Sequence, residues 1–144
     1  AMRETRALGY RIGLHTSGAY PERLRPLLPL IDWVGLDIKA LPDDYPAITG
    51  VPDSGRRAWE SLDILLTARV PMEVRTTLMP DWTPEQIAEL AHALADAGVT
   101  HYCLQACDSR RALDETLAPS MMQMDERIGS VRPDRFASFV IRGT

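Results

Sequence analysis

Cysteine is scarce in this chain. Cys103 and Cys107 are its only two thiols, too few for the disulfide framework of a small secreted domain, so a reducing cytoplasm is the expected location. As metal ligands they have only His101 as a near partner, and buried free thiols are the expected state. Basic charge is short as well: 16 Lys and Arg stand against 20 Asp and Glu, a net charge of -4, which argues against a general nucleic-acid surface. No apolar run approaches the length that crosses a bilayer and no signal peptide is visible, so neither a membrane nor nucleic acid is an expected partner. An apolar fraction of 45% and a charged fraction of 25% fit an ordinary globular chain with the size of one domain, or part of one. The opening Ala1-Met2 reads as an added residue before a native or internal Met2.

What is present is organised around Trp33-Val34-Gly35-Leu36-Asp37-Ile38-Lys39-Ala40. In a strand the side chains alternate, so Val34, Leu36 and Ile38 share one face while Gly35, Asp37 and Lys39 share the other. An aliphatic back with a Gly-x-Asp-x-Lys front is the pattern of an inner strand of a parallel barrel or half-barrel, whose front points towards the mouth at the C-terminal end. A structural salt bridge between Asp37 and Lys39 is the plain alternative. Burying two charges for stability alone gains little, which favours a ligand.

The same design recurs along the chain. Tyr10 to Ser17 alternates and stops at Gly18, and Pro21 opens a short helix through about Leu28. From Leu41 to about Gly55 the prolines and glycines predict a long irregular segment, either a lid or a plain surface excursion. Ala58, Trp59, Leu62, Leu65 and Leu66 then recur at helical spacing. Met72 to Pro80 is strand-like, with Glu73, Arg75 and Thr77 opposite the apolar face. Thr83-Pro84-Glu85-Gln86 carries the hydroxyl cap, first-position proline and third-position Gln of a helix start, and Gly98 supplies the stop. His92 on that helix reads as a surface histidine. Val99 to Ala106 is a further strand, Pro119 to about Ile128 reads as a helix with Met121, Met122 and Met124 as core filling, and Phe136 to Arg142 reads as a final short strand.

Strands alternating with helices predict a parallel sheet with right-handed crossovers. Four strands then leave polar groups at corresponding ends: His15 and Ser17, Asp37 and Lys39, Arg75 and Thr77, and Gln105. Enzymes on parallel barrels build their sites from such strand ends.

In order, Gly13-Leu14-His15-Thr16-Ser17-Gly18, Val34-Gly35-Leu36-Asp37-Ile38-Lys39, Glu73-Val74-Arg75-Thr76-Thr77-Leu78-Met79-Pro80 and Tyr102-Cys103-Leu104-Gln105 resemble the later strands of radical S-adenosylmethionine activating enzymes. The likeness spans roughly residues 8 to 117. It is nearest to the branch that activates anaerobic ribonucleoside-triphosphate reductase, with pyruvate formate-lyase activating enzymes as cousins. The resemblance implies an α/β fold, a partial TIM-like half-barrel holding the last four strands of a six-stranded barrel. It also implies S-adenosylmethionine and a 4Fe-4S cluster as cofactors, and a glycyl-radical enzyme and an electron donor as partners. The activity it implies is oxidoreductase chemistry, in which a 5'-deoxyadenosyl radical takes a hydrogen from a glycine. By position, Asp37 and Lys39 match the pair at the methionine moiety, Thr16 and Ser17 match strand-end positions beside the ligand, and Arg75 matches a strand arginine near the same site. An ammonium facing a carboxylate and a carboxylate facing a cation suit that moiety.

Two of the family's motifs are missing. The Cys-x3-Cys-x2-Cys loop that holds the cluster and the Gly-Gly-Glu motif are both absent from this sequence, and Cys103 and Cys107 lie on the wrong strand to replace them. Residues 1–144 are therefore expected to be a single domain, a truncated half-barrel lacking its cluster-binding N-terminal strands, and inactive alone. A non-catalytic small-ligand or partner-binding module on the same scaffold is the alternative, and an unrelated piece of parallel barrel a third reading.

Overall fold

Alternation within each strand decides what the fold buries. The computed structural model describes residues 1–107 and 122–143. Among them, five strands lie in chain order in one sheet: β1 (Gly13–Thr16), β2 (Trp33–Asp37), β3 (Met72–Leu78), β4 (His101–Ala106) and β5 (Ser138–Arg142). They run parallel and alternate with helices, an α/β partial barrel-like arrangement. The final short strand is a full member of the sheet: β5 pairs parallel with β4, Tyr102 opposite Phe139 and Leu104 opposite Ile141. The chain divides into two compact units, Ala1–Val74 and Arg75–Thr144.

In the first unit, Val34, Leu36 and Ile38 are fully buried, as the aliphatic back of β2 requires. On the other face His15 is paired with Gly35 across the parallel β1–β2 ladder. A Cβ at position 35 would fall 2.4 Å from His15 Nδ1, so only glycine leaves room for that ring. The imidazole meets Trp33 edge to face, with ring centroids 5.2 Å apart. The chain opens with a helix, α1 (Met2–Ala7). Arg6 ties it down by donating to the Asp32 carboxylate at 2.7 Å, and Asp32 also accepts the Ile12 N–H at 2.7 Å.

After β1, Pro21 starts α2 (Pro21–Leu24), which tightens into a 3-10 helix over Arg25–Leu30. The stretch from 41 to 55 is shorter of loop than its composition predicts. It holds α3 (Tyr45–Thr49), with proline in its first turn and Gly50 closing it at φ 67°. Gly55 belongs to the next helix, α4 (Ser54–Thr67). Pro46 opens a helix inside the stretch whose prolines and glycines predict an irregular segment. Two long-range bonds seat α4: Ser61 Oγ donates to the Gly18 carbonyl at 2.7 Å, and Trp59 Nε1 donates to the Ala40 carbonyl at 3.0 Å.

In the second unit, Thr83 caps α5 (Pro84–Ala97) through a reciprocal box with Gln86, and Gly98 ends it at φ 103°. Beneath it, Tyr102 is 1% exposed and donates to Thr76 Oγ1 at 2.9 Å. Burial pushes the Tyr102 hydroxyl far above its ordinary range. Phe136 and Phe139 pack on the Tyr102 ring at 5.2 and 6.0 Å between centroids. Of the helix expected over 119–128, the described residues hold α6 (Met124–Ile128); Pro119 and Met121 lie outside the described residues, and Met122 is 41% exposed, not core filling. His92 is not a plain surface histidine: it is half-buried, and its Nε2 is enclosed without a hydrogen-bond partner.

Candidate ligand site

The C-terminal ends of β1 and β2 bring two of the expected site residues together. Ser17, one residue past β1, and Lys39, two past β2, line a cavity of about 240 Å³. Its remaining walls come from α3, through Tyr45 and Thr49, and from the first turns of α4, through Ser54 and Arg57. Tyr45 fixes the bend after β2, its hydroxyl accepting the Lys39 N–H at 2.8 Å. Burial foremost, with the nearby Asp37 charge adding to it, pushes the Tyr45 phenol up to about 12, so it is a neutral donor at physiological pH. Thr49 lies 3.0 Å from the Tyr45 carbonyl, Ser54 lies 2.7 Å from the Val51 carbonyl and the two hydroxyls bond each other at 2.7 Å, which keeps both hydroxyl protons within the wall.

Lys39 has no ion-pair partner among the described residues. The plain reading of Asp37 and Lys39 as a structural pair is therefore not what the structure contains. Asp37 is half-buried and lies close enough to Tyr45 to act on its hydroxyl, but does not line the cavity. Thr16 is also outside the lining; its hydroxyl accepts the Gly18 N–H at 3.1 Å and shapes the turn out of β1. Arg75 belongs to the second unit, half-buried on β3 opposite the buried Val74 and Thr76, with Thr77 exposed beyond it. In the same unit Gln105 is half-buried near the end of β4.

Two lining residues, and one buried arginine outside the cavity, are not revealed by the sequence. Tyr45 and Arg57 were hidden in and just beyond the segment taken as irregular; the Pro46 and Gly50 pair bracketing α3 was the available signal. Arg127 on α6 is 4% exposed and donates through its guanidinium to the Met79 carbonyl. Burial lowers its pKa from the ordinary arginine range. Nothing in the spacing of its neighbours announces it.

A cluster finds no ligand set here. Cys103 is fully buried within β4, Cys107 follows it, and no group of three metal-ligating side chains exists among the described residues. S-adenosylmethionine fares better. The cavity offers a cation and a phenol hydroxyl to an acidic end, although about 240 Å³ is below the roughly 300–1,000 Å³ of pockets that enclose a whole small ligand. It suits one end of such a molecule.

Comparison with known proteins agrees with this architecture. Residues 1–94 match the radical SAM superfamily. The chain superposes with a TM-score of 0.72 on the crystal structure of a domain of pyruvate-formate lyase-activating enzyme from Bacteroides vulgatus ATCC 8482, at 16% identity, covering 99% of this chain and 87% of that one. A search of curated proteins finds no significant match.

Proposed function

The chain belongs to the radical SAM superfamily, and from that premise we propose that it is the C-terminal part of a glycyl-radical-enzyme activase, with anaerobic ribonucleoside-triphosphate reductase as its target. The observation that carries the reading is Lys39: a half-buried ammonium at a strand end, without an ion-pair partner among the described residues, aligned on the wall of a cavity. Lys39 would hold the methionine carboxylate. Asp37 and Ser17 would lie beside the same moiety, Thr16 would shape the turn that presents Ser17, and Arg75 would serve from β3. Bound S-adenosylmethionine would supply the adenosyl group from which such activases draw their oxidant.

The three-cysteine loop for the cluster that drives that chemistry is absent from this sequence, and no group of three metal-ligating side chains occurs among the described residues. Residues 1–144 are accordingly proposed as one truncated domain, inactive alone, whose complete form works in the cytoplasm with an electron donor. In-frame codons for a Cys-x3-Cys-x2-Cys loop upstream of Met2 are the expected finding in the gene; a genuine start codon at Met2 would favour a binding module that kept the scaffold.

The direct test pairs two measurements on Asp37→Asn and Lys39→Met in the complete protein. S-adenosylmethionine affinity should fall, because each variant removes a charge-assisted contact. The denaturant midpoint should shift little, since a partly solvated charge contributes about 0 to 1 kcal/mol. A large fall in midpoint with unchanged affinity would return both residues to the scaffold.

A further inference from the structure

Lys39 is not the only cation on the cavity wall. Arg57, in the first turns of α4, lines it too, and among the described residues no acidic one does. In a chain where 20 acids outnumber 16 bases, a lining whose described residues include two cations and no carboxylate runs against composition. Of the neighbouring acids, Asp37 lies near the Tyr45 hydroxyl but outside the lining, and the two on and beside α4 are engaged by other arginines. Arg56 takes Asp53 at 3.9 Å and Glu60 at 3.4 Å, and Arg25 reaches the other Glu60 oxygen at 3.5 Å. Arg57 is left without an ion-pair partner among the described residues. Two unpaired cations held on separate elements repel each other unless an anion sits between them.

We infer that Lys39 and Arg57 form an oxyanion clamp, with Arg57 as a binding residue that the strand-end pattern does not reveal. The neutral Tyr45 hydroxyl adds a donor, while the hydroxyl protons of Thr49 and Ser54 stay within the wall, shared between each other and two backbone carbonyls. Guanidinium presents its N–H groups in a planar fork that matches the two oxygens of a carboxylate or phosphate. At the rim, Tyr20 and Val51 are each 54% exposed and also line the cavity, so the ligand carries an apolar or aromatic flank behind its acidic end. The clamp rests on the S-adenosylmethionine reading only for the identity of one oxyanion source, the amino-acid carboxylate. A phosphate group is the other.

The test titrates the 144-residue chain with S-adenosylmethionine, with its carboxamide analogue and with inorganic phosphate, following amide shifts by NMR. Arg57→Gln and Arg56→Gln are compared. Arg57 is exposed, so its variant should fold; Arg56 sits one residue away but outside the cavity. The expected result is binding that Arg57→Gln weakens about tenfold to a hundredfold and that Arg56→Gln leaves unchanged. Binding of S-adenosylmethionine but not its carboxamide would identify the carboxylate. Binding of phosphate alone would uphold the clamp and sink the cofactor assignment. S-adenosylmethionine binding indifferent to Arg57→Gln would overturn the clamp and leave Lys39 in place. Absence of any oxyanion binding would overturn the clamp outright.

Discussion

Each unit carries a hollow, and the two are built from opposite charges. In unit 1 the cavity of about 240 Å³ is walled by strand ends and two helices and lined by Lys39 and Arg57. In unit 2 a larger hollow of about 630 Å³ runs along the outer face of α5, lined by Glu85, Glu89, His92 and Asp96. The larger one is the weaker candidate. Its residues recur at three- and four-residue steps on one helix, which is the polar stripe that any amphipathic helix exposes, and Asp96 is already paired with Arg135 at 2.6 Å. Unit 1 gathers its charges from separate elements, and holding them there needs the bends that Tyr45 and Gly18 secure. A site is marked by how many independent elements converge on it, more than by its volume.

Disturbing the wall of the smaller cavity should give the largest effect. A Cβ on Gly55 would lie 2.0 Å from the Pro42 carbonyl oxygen, a backbone atom with little room to retreat. Gly55→Ala should lower stability by about 1–3 kcal/mol through overpacking and abolish oxyanion binding together with it. A wild-type denaturant midpoint would mean that the bend after β2 is not seated on α4, and the contrast between the two hollows would lose its basis.

Tyr102→Phe asks the converse question of unit 2. It removes the hydroxyl that reaches Thr76 and should cost about 1 kcal/mol, read as a shift in the thermal midpoint. Binding at the Lys39 cavity should be untouched. Weakened binding at unchanged stability would show that the chemistry is not confined to unit 1.

The smallest effect is one of pH. Hydrogen bonds from the Ile12 N–H and Arg6 hold the Asp32 carboxyl below its ordinary range. A depressed folded-state pKa adds stability that is complete above the unfolded value and disappears as pH falls through the folded one. Amide signals of Ile12 and of α1 should therefore stay native-like through the usual carboxylate range and move only below it, and Asp32→Asn should erase that titration. A transition at the ordinary carboxylate pH would show that Arg6 does not anchor α1.

Much of this was legible beforehand, for identifiable reasons. The buried back of β2 followed from period-two alternation, and α5 followed from its cap and stop residues, because both signals are local. The cavity was half legible. Ser17 and Lys39 lie at strand ends, where topology alone predicts convergence. Arg57 lies in a helix whose start was masked by Pro42, Pro46, Gly50 and Pro52, residues that signal loops in one context and helix ends in another. Arg127 was invisible because its partner is a backbone carbonyl, that of Met79, far away in the chain.

Each ladder of the sheet joins strands that follow one another in the chain: Gly13 meets Trp33 in one unit, and His101 meets Ser138 in the other. Among the described residues no pairing skips a strand. The entropy lost in closing each loop is then about as small as a parallel sheet permits. Folding should accordingly be quick for this architecture, each ladder forming once its own crossover helix is in place.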